Sequence, residues 1–335
     1  MPKVFVIAEA GVNHNGKLSL ALKLAKAARY CGADAVKFQV FKAYECTGAF
    51  AQRARYQKRN DPGPENQYEM AKRLELGVSA FRSIKAYCGR IGIEFLATPD
   101  GEESLGEIVR LGVKRIKVSS TDITNPRLLA AIGRTGKSVL LSTGMSTLAE
   151  VGAAIEAVRF GGSGAITLLQ CTTEYPAPLV DVNLRAMVTM SSAFGLPVGF
   201  SDHTTGVDAA VSAVALGAVV IEKHITLDRG MSGPDHKASM PPAEFRRFVR
   251  HIRDTEVLLG DGVKRPSRRE QAIARDVRRS IVAKRDIACG ERLTEGMLAL
   301  KRPGWGIRPE FLEIIIGRIP KRNLRQDEPI EWKDI

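Results

Sequence analysis

The stretch PVGFSDHTTGVDAAVSAVALGAVVIEKHITLD, residues 197–228, decides the fold. It opens on an apolar run, PVGFSD (197–202), that breaks off at Ser201, Asp202 and His203. A helix-length segment follows, and the chain returns as a second run, VVIEKHI (219–225), which breaks off at Glu222 and His224. Continuous apolar runs suit parallel strands buried on both faces, and parallel neighbours need a crossover of this length. The same unit recurs at VFVIAE (4–9), AVKFQV (35–40), EFLATP (94–99), RIKVSS (115–120), SVLLST (138–143) and ITLLQCT (166–172). Between the runs, apolar residues fall near a 3.6 period, as at Leu148, Val151, Ile155 and Val158 after the turn at Gly144. Eight strands alternating with helices through right-handed crossovers predict an α/β fold, a closed (β/α)8 barrel. An open doubly wound sheet is the competing architecture, but Gly11 and Gly16 after the first strand do not form its GxGxxG turn.

In a barrel of parallel strands all eight endings meet at one mouth, and each ending here is polar. They are Glu9; Lys37 with Gln39; Thr98; Lys117 with Ser119 and Ser120; Ser142 with Thr143; Cys171 to Thr173; Ser201 to His203; and Glu222 with His224. Two excursions, at about 42–77 and 228–242, follow the second and eighth strands and therefore fall on the same face. Both are candidate substrate loops, and the first also reads as a merely solvated excursion. The barrel is expected over 1–260, a polar and basic linker over 261–278, and a small β-rich domain of short strands and turns over 279–335.

With 335 residues and 44% apolar content, the chain fills two cores without covalent staples. Fifty Lys and Arg against 37 Asp and Glu leave a net charge of +13, spread along the chain. No helix-turn-helix, zinc-finger or aromatic RNA-binding signature accompanies the charge, so an anionic small molecule is the expected partner and nucleic acid is not. The five cysteines form no CxxC pair, which points to reduced thiols in a cytoplasmic compartment. The run VFVIA passes straight into Glu9, and no stretch approaches the roughly 20 apolar residues of a membrane span, so no membrane partner is expected.

His203 and His224 end adjacent strands, so their imidazoles can share one volume as an open divalent-metal site. The oxygen-rich surroundings and the absence of thiolate pairs favour Mn²⁺ or Mg²⁺. Lys37 and Lys117, buried at a barrel mouth, need anionic partners: a phosphate or carboxylate ligand, or Glu9 and Glu222. Schiff-base chemistry is the third reading of these lysines. Glu9 and Glu222 suit proton transfer, a sugar hydroxyl, or a structural ion pair with Lys37 or Lys223. Asp202 should face away from the mouth and satisfy nearby backbone. His14 reads as a residue that orders the first loop, while Tyr175 and Asp235, on loops after strands, are candidates for substrate contact.

At IAEAGVNHNG (7–16), AVKFQ (35–39), TP followed by EES (98–104), KVSSTDITN (117–125), LSTGM (141–145), CTTEYPAP (171–178), FSDHT (200–204), EKHITLD (222–228) and GPDHKASM (233–240), the chain resembles the sialic acid synthase family, including its legionaminic acid synthase branch. The segment from RRSIVAKRDIACGERLT (278–294) to KRPGWGI (301–307) is similar to the antifreeze-like (SAF) domain of those enzymes. The resemblance implies condensation of phosphoenolpyruvate with the open-chain aldehyde of an N-acylated mannosamine-type sugar, giving a nonulosonic acid and phosphate by C–O cleavage. It places Lys37, Gln39, Thr98, Lys117, Ser120, Ser142 and Ser201 around phosphoenolpyruvate, and a metal on His203 and His224. It implies sugar contacts from Glu9, Asp122, Tyr175 and Asp235. It further implies a domain-swapped homodimer in which Arg302 reaches the N-acyl group of the partner's substrate. Three residues depart from the family pattern: Thr173, where some members place an asparagine near phosphoenolpyruvate, Asp100 in place of phenylalanine, and Trp305 in place of asparagine. N-acetylmannosamine and 2,4-diacetamido-2,4,6-trideoxymannose are both implied as substrates, with pseudaminic acid synthesis a more distant reading. A Schiff-base aldolase and a non-catalytic carbohydrate-binding protein remain as alternatives from other classes.

Overall fold

In the computed structural model, which describes residues 3–63, 66–162 and 164–335, the eight apolar runs are the strands of one closed parallel barrel. They are β1 (Phe5–Gly11), β2 (Ala35–Val40), β3 (Glu94–Pro99), β4 (Arg115–Val118), β5 (Ser138–Ser142), β6 (Ile166–Cys171), β7 (Val198–Asp202) and β8 (Val220–His224). The barrel closes by pairing β1 with β8. By contact density the chain divides into two units, Met1–Asp261 and Gly262–Ile335.

Side chains of a strand alternate between faces with period two, and this sorts the barrel into layers. Ile7, Ala35, Leu96, Leu140, Leu169 and Val220 point inward and form an apolar floor. Two residues further along the same strands stand Glu9, Lys37, Thr98, Ser142, Cys171 and Glu222, so the layer above the floor is polar. Residues between them, such as Phe38, Ala97, Leu141, Phe200 and Ile221, face outward into the main core shared with the helices. At Gly199 a Cβ would lie 2.4 Å from the Val220 carbonyl oxygen and 2.7 Å from Leu169, so only glycine lets the floor residues fill that corner.

The structure departs from the expected boundaries by one or two residues at strand ends, and by more in the first excursion and the linker. β4 stops at Val118 because the Ser119 side chain accepts the Thr121 N–H and turns Ser120–Asp122 into a single 3₁₀ turn. The first excursion is packed structure: it carries helices Ala43–Cys46, Arg55–Asn60 and Gln67–Leu74, while Pro64 and Glu65 within it lie outside the described residues. Met70, Ala71 and Leu74 bury themselves against Val12, Phe41 and Ala43. Lys42 pairs with Glu107 at 3.5 Å, and the Asn60 amide donates to the Pro234 carbonyl at 3.0 Å, tying this excursion to the one after β8.

The stretch expected as a linker contains a helix, Arg268–Val277. Ser267 and Glu270 form a reciprocal capping box at its start, and none of its residues is buried. Beyond it β9 (Ser280–Ala283) and β10 (Leu298–Lys301) pair antiparallel. Bridges Ile287↔Leu324 and Val282↔Pro329 complete the small sheet around Ile281, Leu293, Ile307, Ile315 and Ile330. Among the described residues no helix is long and apolar enough to cross a membrane.

Candidate active site

A cavity of about 540 Å³ opens at the C-terminal ends of the strands. Glu9, Lys37, Gln39, Lys117, Ser120, Asp122, Ser142, Thr173, Tyr175, Ser201, His203, Glu222, His224 and Asp235 all line it. Thr98 sits just beneath the lining and accepts a hydrogen bond from Lys37 Nζ at 3.4 Å. Arg302 belongs to the second unit, where it is exposed directly after β10.

The floor of the cavity is an ion cluster. Lys37 Nζ lies 3.1 Å from Glu222 and 3.5 Å from Glu9, and Lys117 Nζ lies 3.7 Å from Glu222. Lys117 also donates to Ser142 Oγ at 2.6 Å, and Ser201 Oγ donates to Glu222 at 2.9 Å. All four charged side chains are buried. Burial alone would raise both carboxyls, but Glu222 bridges the two lysines, whose charges outweigh burial and hold it down to about 2. Among the described residues Glu9 forms an ion pair with Lys37 alone, and it is pushed up to about 8, by burial first and, against the pull of Lys37, by the Glu222 charge. Burial, together with Lys37, lowers Lys117 to about 8. Near neutral pH the cluster therefore holds two cations, one carboxylate and one neutral acid, a net charge of about +1 that calls for an anionic ligand.

Beside the cluster stand two neutral imidazoles, their ring centroids 5.6 Å apart. His203 Nδ1 donates to the Thr172 carbonyl at 2.7 Å, which fixes the tautomer and leaves Nε2 as the lone-pair nitrogen, 3.4 Å from Ser201 Oγ. Burial lowers its pKa to about 4. His224 is held well below the ordinary value by burial and by its neighbour, and its Nδ1 is buried without a hydrogen-bond partner. Glu9 is the register partner of His224, and Glu9 Oε2 is likewise buried and unpartnered. These orphaned lone pairs fit a divalent cation. Among the described residues no three His, Cys, Asp or Glu side chains converge on one point, so remaining positions would fall to water or substrate oxygens.

Tyr175 packs its ring 4.2 Å from His203, and burial raises its hydroxyl pKa. Asp235 is buried and pushed up to about 6. On the far side of β7 and β8, Asp202 faces away from the cavity as expected from alternation: it pairs with Lys223 at 2.8 Å and accepts from the Thr204 N–H and hydroxyl. His14 is buried in the first loop, where its Nδ1 accepts the Gly16 N–H at 3.1 Å. Gly144 comes so close to the site that a Cβ there would lie 2.3 Å from Thr173 Oγ1 and 2.9 Å from Ser120 Oγ. Tyr56, from the first excursion, also reaches the cavity and packs 5.0 Å from Tyr175. Sequence reasoning missed it, and its one signal was an aromatic residue stranded in the polar run RARYQKRN (53–60).

Comparison with known proteins gives the following. The pattern of the NeuB family matches residues 24–264, and that of the SAF domain matches 278–335. The chain is 46% identical to N,N'-diacetyllegionaminic acid synthase of Campylobacter jejuni over 98% of its own length and 99% of that protein. It is 45% identical to the enzyme of the same name from Legionella pneumophila, covering 99% of this chain and 94% of the other. Among solved structures, the N-acetylneuraminic acid (sialic acid) synthetase of Leptospira borgpetersenii, in complex with citrate, superposes with a TM-score of 0.73 at 34% identity, covering 81% of this chain and 90% of that one.

Proposed function

The chain belongs to the NeuB family, and from that premise we propose how its cavity works as a phosphoenolpyruvate-dependent nonulosonic acid synthase. The enzyme condenses phosphoenolpyruvate with an N-acylated mannosamine-type sugar and releases phosphate. The observation that carries the site assignment is the buried cluster of Lys37, Lys117, Glu9 and Glu222 with its excess positive charge, beside two neutral histidines.

In this reading the lysines receive the carboxylate and phosphate of phosphoenolpyruvate, and Gln39, Thr98, Ser120, Ser142, Thr173 and Ser201 surround it with hydroxyl and amide groups. The sugar lies toward Glu9, Asp122, Tyr175 and Asp235, all of which face the same cavity. His203 and His224 would hold the divalent ion, Mn²⁺ or Mg²⁺, which supplies Lewis-acid polarisation of the aldehyde. Carbon 3 of phosphoenolpyruvate attacks that aldehyde. Glu9, protonated near neutrality, is the acid placed to hand its proton to the alkoxide that forms. Glu222, ionised between the lysines, is placed to take a proton from the water that adds at carbon 2. Breakdown of that adduct breaks the carbon–oxygen bond and releases phosphate, whose developing charge the lysines meet.

We assign Arg302 the role of binding the N-acyl group in a partner's cavity, within a domain-swapped homodimer. We place the enzyme in the cytoplasm, in keeping with five free cysteines. The test is turnover. Phosphate should appear only with phosphoenolpyruvate and an acyl-mannosamine sugar together, and ¹⁸O placed at carbon 2 of phosphoenolpyruvate should emerge in phosphate. Phosphate release that persists unchanged after exhaustive chelation, or in His203→Ala, would refute the metal role.

A further inference from the structure

We infer that Asp100 is a specificity-determining residue of this site: its carboxyl accepts a hydrogen bond from an O–H or N–H donor on the part of the sugar remote from the aldehyde. Together with Asp122 it excludes an anionic substituent there. The inference rests on the condensation proposed above.

Its position is set by the barrel rather than by a loop. The Asp100 N–H donates to the Val40 carbonyl at 3.2 Å, extending the β2–β3 ladder one step past β3. Thr98 faces inward at the level of Lys37, Pro99 faces outward, and Asp100 faces inward again, about 6.6 Å nearer the mouth at 3.3 Å per residue. Asp100 thus stands one layer above the lysine layer that takes the anion. The co-substrate must fill this upper layer.

The carboxyl of Asp100 lines the cavity and makes no hydrogen bond or ion pair with any described residue. Its neighbours explain what it awaits. Asp122, on the turn after β4, lines the same cavity and is hydrogen-bonded by its neighbours Asn125, at 3.5 Å, and Thr121. Glu45 is already committed, accepting the Glu103 N–H at 2.5 Å, the Ser104 N–H at 3.2 Å and the Ser104 hydroxyl at 2.6 Å at the start of helix Glu102–Arg110. Gly101 permits that approach, since a Cβ there would lie 2.0 Å from the Glu45 carboxyl carbon. The cations below, Lys37 and Lys117, are engaged by Glu9 and Glu222. Burial first and then the Asp122 charge push Asp100 up to about 7, against the opposing pull of Lys37 and Lys117. A phosphate entering this wall meets carboxyl groups and, among the described residues, no cation paired with Asp100, whereas a neutral donor satisfies an open acceptor.

The experiment is steady-state kinetics of the full chain, wild type beside Asp100→Asn and Asp100→Ala. The sugars are N-acetylmannosamine, its 6-phosphate, and 2,4-diacetamido-2,4,6-trideoxymannose. The wild type should prefer the better neutral sugar over the phosphorylated one by about 100-fold or more in kcat/KM, and Asp100→Asn should narrow that ratio about tenfold. Asp100→Ala should raise KM for the neutral sugar about tenfold, the loss expected for one buried hydrogen bond. In both variants KM for phosphoenolpyruvate should stay within twofold, which also confirms an intact fold. The inference is overturned if the wild type accepts the 6-phosphate as readily as the neutral sugars, if the ratio is unmoved in Asp100→Asn, or if KM for phosphoenolpyruvate moves as much as that for sugar. A wild type that turns over none of the three with phosphoenolpyruvate sinks the condensation reading itself, an outcome distinct from the other three.

Discussion

Replacing Glu222 with glutamine removes the one carboxylate that touches both buried lysines, at 3.1 and 3.7 Å, while leaving the shape of the cavity unchanged. At an effective dielectric constant near 20 each contact represents roughly 4–5 kcal/mol of gross attraction. Most of that attraction is offset by desolvation, and the measured cost of breaking a buried pair on one side is about 3–5 kcal/mol. The lower figure applies here, because Lys117, already lowered to about 8, can shed its proton once its partner is gone. For a domain of this size about 3 kcal/mol corresponds to a fall in Tm of roughly 6–12 °C. The sign of the pH dependence follows from linkage. A lysine whose folded pKa is depressed holds fewer protons in the native than in the unfolded state, so stability rises with pH from the folded value towards 10.5. In Glu222→Gln the folded pKa falls further and the window extends below pH 8. The deficit relative to wild type should therefore be largest near pH 6 and smaller at pH 9, where Lys117 is mainly neutral in both proteins. Calorimetry or thermal melts at the two pH values measure it, with phosphate as a probe that should raise the variant's Tm more than the wild type's by replacing the lost counter-charge. A variant whose Tm lies within about 2 °C of wild type at pH 6 would show that the cluster is not the coupled unit described.

Three further outcomes follow from named contacts. Gly144→Ala, whose methyl would meet Thr173 and Ser120, should raise KM for phosphoenolpyruvate at least tenfold with a stability loss of about 1–3 kcal/mol; unchanged kinetics would remove Thr173 and Ser120 from the binding wall. Asp202→Asn strands Lys223 on the outer side of the barrel, so chemical denaturation should show a loss of about 3–5 kcal/mol while both KM values of the folded protein stay within twofold. Arg302→Ala should raise KM for the sugar and leave that for phosphoenolpyruvate nearly intact, with equal effects on both pointing to misfolding instead.

Much of the site was legible because it is written in period two. Ile7 then Glu9, Ala35 then Lys37, and Val220 then Glu222 each place an apolar residue on the floor and a polar one above it. Alternation likewise sent Asp202 outward to Lys223, away from His203. Helix Arg268–Val277 was hidden in a basic stretch because its signal is a local capping box and it buries no apolar stripe. Tyr56 was hidden for the opposite reason: its place beside Tyr175 depends on how the excursion after β2 packs on Val12 and Phe41.

By itself, then, the order of residues determined the alternation of strand and helix, the eight-strand barrel, and which side chains share its mouth, because spacing along one strand settles which way a side chain faces. Which acid is neutral and which ionised was decided by tertiary structure alone. Glu222 comes between Lys37 and Lys117 only when β8 closes onto β1, a contact between residues 185 and 105 positions apart in number, and that closure leaves Glu9 with a single lysine. The same holds for Asp100, whose carboxyl has no hydrogen-bond or ion-pair partner among the described residues once Glu45 has turned to the helix beside it. Charges separate their roles through distance and burial, and those quantities exist only in the folded chain.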